Sequence, residues 1–99
     1  MVRGIVWSKN ALRDKVQILG YWHRRIGTLT YSRKLDVELK QSVKLLKSFP
    51  KMGRPYKNTE IRFLVKDYYH IFYKYSDNII KVLHIWDSRR NPDDLIIVG

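Results

Sequence analysis

The pattern of apolar and polar positions changes period along this chain. In its second half, three runs rich in Ile, Val, Tyr and Phe, at residues 61–65, 68–75 and 79–86, are separated only by Lys66-Asp67 and Ser76-Asp77-Asn78. β-formers punctuated by short turn-forming segments predict an antiparallel meander of three strands. The links are too short for crossover helices, so whatever covers the sheet must come from the residues before it.

In the first half the period lengthens. Residues 2–7 (VRGIVW) are a short β-like run, expected as an edge or partner strand, and Ser8 is a good N-cap for a helix starting at Lys9. From Lys9 onward Leu12, Val16, Leu19, Trp22 or His23, and Ile26 recur at three- and four-residue steps, with Arg13, Asp14, Lys15, Arg24 and Arg25 mostly on the other side. That spacing predicts an amphipathic helix with the Leu12 to Ile26 stripe as its core face. Gly20 inside it costs about 1 kcal/mol relative to Ala and marks a place for a kink or a close helix contact, and Gly27 is the natural stop.

Thr30 or Ser32 is expected to cap a second helix whose apolar stripe is Leu35, Leu39, Val43 and Leu46, with Lys34, Lys40, Lys44 and Lys47 exposed and Pro50 at its end. The link Gly27-Thr28-Leu29 is short enough to force an antiparallel α-hairpin. Residues 50–58 (PKMGRPYKN) read as a basic loop too broken for regular structure. At the end of the chain Asn91-Pro92-Asp93-Asp94 is a turn, and the apolar residues 95–98 are expected to pack on the chain's own core, since left exposed they would invite aggregation. The fold class is therefore α+β: an N-terminal strand, an α-hairpin, then a three-stranded antiparallel meander with both helices on one face, forming a single domain over residues 1–99.

Composition adds one strong fact. Twenty Lys and Arg against nine Asp and Glu give a net charge of +11, and residues 1–59 hold fourteen of the bases but only Asp14, Asp36 and Glu38 among the acids. Such a chain seeks polyanions or an acidic protein partner, although a basic helix surface also serves plain solubility. No apolar run approaches the length of a membrane span, and residues 1–8 lack the apolar core of a signal peptide, so a cytoplasmic location and no membrane partner are expected. Without cysteine there is no disulfide framework or thiolate site, the three histidines lack metal-ligand spacing, and neither a metal nor another cofactor is expected. The tryptophans Trp7, Trp22 and Trp86 suit core packing, His23 lies by the helix stripe, and Tyr56 in the basic loop is the aromatic best placed to stack on a base.

Four blocks in order carry a resemblance: FPKMGRP (residues 49–55), IRFLV (61–65), YHIFY (69–73) and IWDSRRNP (85–92). Together they resemble the RelE/ParE toxin superfamily, whose members show an R-x-L-V segment, an aromatic I-F-Y strand and a terminal I-x-H-x-R-R-x-P. The resemblance covers nearly the whole chain and implies the toxin of a type II toxin-antitoxin pair, which inhibits growth and is neutralised by a cognate acidic antitoxin lying over its helices and sheet. It implies no small-molecule substrate.

Two targets stay open under that resemblance. RelE-like members cut mRNA on the ribosome, without metal; ParE-like members poison DNA gyrase, a binding activity. For RNA cleavage the candidate residues are Arg62, His70 and Arg89, because the chemistry needs proton transfer and stabilisation of a charged phosphorane. Arg89 matches a phosphate-stabilising arginine of the ribonuclease branch, and its planar fork suits bidentate phosphate contact. The pattern departs where an arginine is replaced by His70 and a histidine by Asp87, and His84 is the other possible acid or base. Lys51, Arg54, Lys57 and Arg90 are phosphate- or partner-binding candidates, and Arg24, Arg25 and Arg33 on the helices are candidates for target recognition. The departures and the long hairpin lean towards the gyrase branch; an inactive basic nucleic-acid-binding module is the third reading.

Overall fold

The computed structural model describes residues 3–97, leaving Val2 and Val98, at the ends of the expected first strand and terminal apolar segment, outside the described residues. Strand β1 (Gly4–Trp7) leads through Ser8 into helix α1 (Lys9–Ile26). The Ser8 hydroxyl accepts from the Ala11 amide at 3.0 Å and donates to the Leu83 carbonyl at 2.8 Å. One side chain thus satisfies a helix-start amide and ties that start to the sheet. The helix runs through Gly20 unbroken and stops where Gly27 turns left-handed at φ 84°, its amide reaching the His23 carbonyl at 2.9 Å. Helix α2 (Thr30–Leu45) returns antiparallel. Neither expected cap is used: Leu29 holds the N-cap position without a side-chain bond, Thr30 is already helical, and the Ser32 hydroxyl donates back to the Leu29 carbonyl.

The sheet has five strands, two more than the meander. Strands β2 (Arg54–Pro55), β3 (Arg62–Lys66), β4 (Tyr69–Tyr75) and β5 (Ile79–Asp87) are antiparallel in sequence, and β1 pairs parallel with β5, giving the order β1-β5-β4-β3-β2. The basic loop therefore does contain regular structure. Arg54 pairs with Phe63 and Pro55 with Arg62, and a proline is tolerated there because β2 is an edge strand. Asp67, at φ 53°, turns the β3–β4 hairpin. A bulge shifts the β4–β5 register from Phe72 opposite His84 to Tyr73 opposite Val82, passing over Leu83.

Both helices lie on one face of the sheet. The core beneath them joins Leu35, Leu39, Val43 and Leu46 of the second helix and its following turn to Tyr69, Ile71, Tyr73, Ile80, Val82 and Ile85. The stripe predicted for α2 is thus the buried one, whereas of the stripe predicted for α1 only Leu19 and Trp22 pack against the core. Ala11 is fully buried, and Ile18 and Trp22 pack against the core, while Val16 is 68% exposed and Leu12 and Ile26 stand out in solvent. The true face is displaced by one residue, a rotation of about 100°. Polar anchors explain it: Asp14 reaches the sheet, Lys15 bridges to Asp36 of α2 at 3.1 Å, and Lys15 also sits over the Trp7 ring. At the C-terminus a short 3₁₀ turn (Pro92–Asp94) comes after β5, Leu95 is half-buried, and Ile96 is exposed, so the terminal apolar segment packs on the molecule only in part.

Candidate functional site

The face of the sheet away from the helices carries an aromatic group. Cross-strand pairing aligns Arg54, Phe63 and Phe72 in one row and Val65, His70 and Trp86 in the next, and period-2 alternation sends both rows outward. The Phe63 ring stacks on His70 at 5.0 Å and tilts against Phe72 at 5.4 Å, Tyr56 meets Phe72 edge-on at 5.0 Å, and the Arg90 guanidinium lies 4.6 Å over Trp86. Between them is a cavity of about 300 Å³ whose lining includes Tyr56, Phe63, His70, Phe72 and Trp86, with the charged side chains Lys57, Arg90 and Asp93. Burial pushes the His70 pKa below its ordinary 6.5, and nearby Arg54 adds to the effect, which favours the neutral ring.

The other ribonuclease candidates stand elsewhere. Arg62 alternates with Phe63 and so faces the opposite side; its guanidinium donates to the Gly53 carbonyl at 2.8 Å and the Lys51 carbonyl at 3.4 Å, tying down the basic loop. Arg89 is clamped to Asp87 by two side-chain hydrogen bonds, Nε to Oδ1 at 3.0 Å and Nη2 to Oδ2 at 2.7 Å, and lies over the Tyr68 ring. That clamp holds the Asp87 carboxyl below its usual range and raises the Arg89 pKa. Arg89 lines a second cavity, of about 380 Å³, on the helix side with Asp14, Gln17, Tyr21 and Tyr69. Arg62, His70 and Arg89 therefore occupy three separate environments.

Among the remaining candidates, Lys57 and Arg90 line the open-face cavity, Arg54 pairs with its Phe63, and Lys51 is exposed in the preceding loop. Arg24, Arg25 and Arg33 are exposed at the turn end of the hairpin, beside the equally exposed Ile26 and Leu29. His84 contacts Asp14 through Nδ1 at 3.1 Å, and His23 is exposed. The contribution of Phe63 and Trp86 to the open face was missed in the sequence, although the alternation of Phe63, His70, Phe72 and Trp86 across three strands was its signal. Among the described residues no three His, Asp or Glu side chains cluster as metal ligands, and no helix is long and apolar enough to cross a membrane.

An α-hairpin laid over one face of a small mixed sheet, with a strongly basic surface, defines the class of small toxins that the sequence motifs resemble. The family model for the ParE toxin of type II toxin-antitoxin systems, parDE, matches residues 5–92, and the chain belongs to that family. It is a toxin-antitoxin toxin, and an antitoxin is its partner. Its fold is similar to that of a chain from a chromosomal ParDE toxin-antitoxin system of P. aeruginosa, with a TM-score of 0.74 and 20% identity over 85% of this chain and 94% of that one. No curated protein sequence matches the chain.

Proposed function

We propose that this toxin arrests growth by binding DNA gyrase in the cytoplasm, as a single domain over residues 1–99, and that its antitoxin is acidic and covers the helical hairpin. The observation that carries this reading is the outer surface of the hairpin. Leu12, Val16, Ile26, Leu29 and Val37 are exposed large apolar residues, and Arg24, Arg25 and Arg33 stand with Ile26 and Leu29 at its tip. Apolar positions rimmed by cations form a protein-binding surface rather than a solvated face. An acidic antitoxin is favoured there by charge complementarity, which speeds encounter with a +11 chain. The separation of Arg62, His70 and Arg89 supports a binding activity over acid-base chemistry, because proton transfer needs its groups within hydrogen-bond reach of one another's reaction centre.

The test is a supercoiling and DNA-cleavage assay with purified gyrase, run beside a measurement of mRNA integrity in cells expressing the toxin. Gyrase inhibition with trapped DNA breaks and intact mRNA is expected. Charge reversal to Glu at Arg24, Arg25 and Arg33 is expected to abolish inhibition, while Arg89→Ala leaves it in place. Rapid cleavage of translated mRNA with unaffected gyrase would overturn the proposal.

A further inference from the structure

We propose that the aromatic cavity on the open face of the sheet is a binding site for a nucleobase and its attached phosphate. The site lies on the opposite side of the sheet from the hairpin surface and is independent of the gyrase reading. Phe63 and His70 are stacked with their planes only 22° apart, and Tyr56 and Trp86 line the cavity with them. A volume of about 300 Å³ is at the small end of ligand pockets and suits one planar heterocycle. Phe63, His70, Tyr56 and Trp86 are all half-exposed, so their faces remain reachable, whereas the buried Phe72 serves as the floor.

The charges around the cavity select the ligand. Lys57 and Arg90 line it and Arg54 pairs with Phe63 beside it, against a single lining carboxylate, Asp93, and among the described residues none of the three cations is within salt-bridge distance of a carboxylate. Arg90 instead lies over Trp86 and Lys57 over Tyr56, cation on ring, which leaves their N–H groups available to phosphate oxygens. Aromatic stacking with flanking cations is how single-stranded nucleic acids are held without base selection. His70 and Trp86 are the lining side chains that combine a ring face with a hydrogen-bonding nitrogen, too few polar groups to read a base edge, so little discrimination among bases is expected. A duplex keeps its bases stacked within itself and cannot enter.

Tryptophan emission reads the site directly. Trp7 and Trp22 pack against the core on the helix side, so quenching by a stacked base reports Trp86. Adenosine monophosphate, ribose 5-phosphate, a short single-stranded oligonucleotide and the matching duplex are titrated into the full-length protein. Saturable quenching by the mononucleotide and the single strand, absent with ribose 5-phosphate and not competed by the duplex, is the expected result. Phe63→Leu should then weaken binding about tenfold or more, the loss of one stacking partner, and Arg54→Gln with Lys57→Gln should weaken it and flatten its salt dependence. A single strand binding far more tightly than the mononucleotide identifies a strand as the source of the base; equal affinities identify a free nucleotide. Failure of both to quench the wild-type protein overturns the proposal, as does duplex binding equal to single-strand binding together with an unchanged Phe63→Leu affinity. The wild-type comparison of mononucleotide with ribose 5-phosphate decides the matter even where Phe63→Leu fails to fold.

Discussion

The Tyr73 hydroxyl accepts from the Gly53 amide at 3.0 Å, and a Cβ at Gly53 would lie only 2.6 Å from that same oxygen. The hydroxyl also donates to the Pro50 carbonyl at 2.7 Å, so one buried phenol holds both ends of the turn that leads into β2. Burial pushes its pKa up and keeps the proton in place for donation. Gly53→Ala is expected to cost about 1–3 kcal/mol, because the added methyl also comes within 2.9 Å of the Phe63 backbone carbonyl, which cannot swing aside. Tyr73→Phe should cost about 1–3 kcal/mol by stranding the Gly53 amide. Urea unfolding of both single variants and the double variant checks this, and the double is expected to cost less than the sum because the two residues touch.

Asp14 is a lone acid in a basic helix, and its Oδ2 accepts from the Ile85 amide at 3.0 Å while lying 3.1 Å from His84 Nδ1. Ile85 is almost wholly buried, so its amide has no water to turn to. Asp14→Ala is expected to destabilise by about 1–3 kcal/mol, and Asp14→Asn, which keeps an acceptor oxygen, by clearly less. Thermal unfolding of the two variants distinguishes loss of the acceptor from loss of charge.

Above the carboxylate range, the pH dependence of stability is expected to come from His70. Its folded pKa is below the unfolded 6.5, through burial first and Arg54 second, so the unfolded chain takes up the proton more readily. The associated stability is complete above pH 6.5 and is lost as pH falls through the lowered folded value. Melting temperature should therefore decline as pH falls below 6.5 and level off below the folded value, and His70→Gln should flatten the decline. Arg54→Gln removes one cause of the shift and should move the His70 titration, followed by NMR of its ring protons, back towards 6.5. Asp87, held below 3.8 chiefly by Arg89, acts only in a more acidic window and leaves the His70 transition distinct.

Much of this was legible in the sequence because turn chemistry and alternation are local. The three meander strands, the Ser8 cap, the Gly27 stop and the α2 core stripe all rest on residues whose roles are decided by near neighbours. The Arg54–Pro55 strand was hidden because only its partner, Arg62 and Phe63, makes it a strand. The candidate site was half legible: its cations were named one by one, but His70, Phe63 and Trp86 meet through register, and Arg62 and Arg89 leave them through strand alternation and the Asp87 clamp. A motif read along the chain does not reveal which side of a sheet each residue faces.

Helix α1 buries Ala11 and packs Ile18, Leu19 and Trp22 against the core, while Leu12, Val16 and Ile26 of the stripe predicted for it are exposed. That exposure yields a prediction joining stability to function. Val16→Ser is expected to change stability by no more than about 0.5 kcal/mol, whereas Leu39→Ala, at a fully buried position on α2, should cost about 2–5 kcal/mol. A side chain 68% exposed contributes little to the core, so a substitution at Val16 reports on a partner rather than on folding. If the antitoxin is acidic and covers the hairpin as proposed, Val16→Asp should preserve the melting temperature while weakening the complex, since it places a like charge against the partner and removes the apolar contact. Isothermal titration of the variant with the antitoxin checks it, and unchanged affinity would show that the outer stripe of α1 lies outside the neutralising interface.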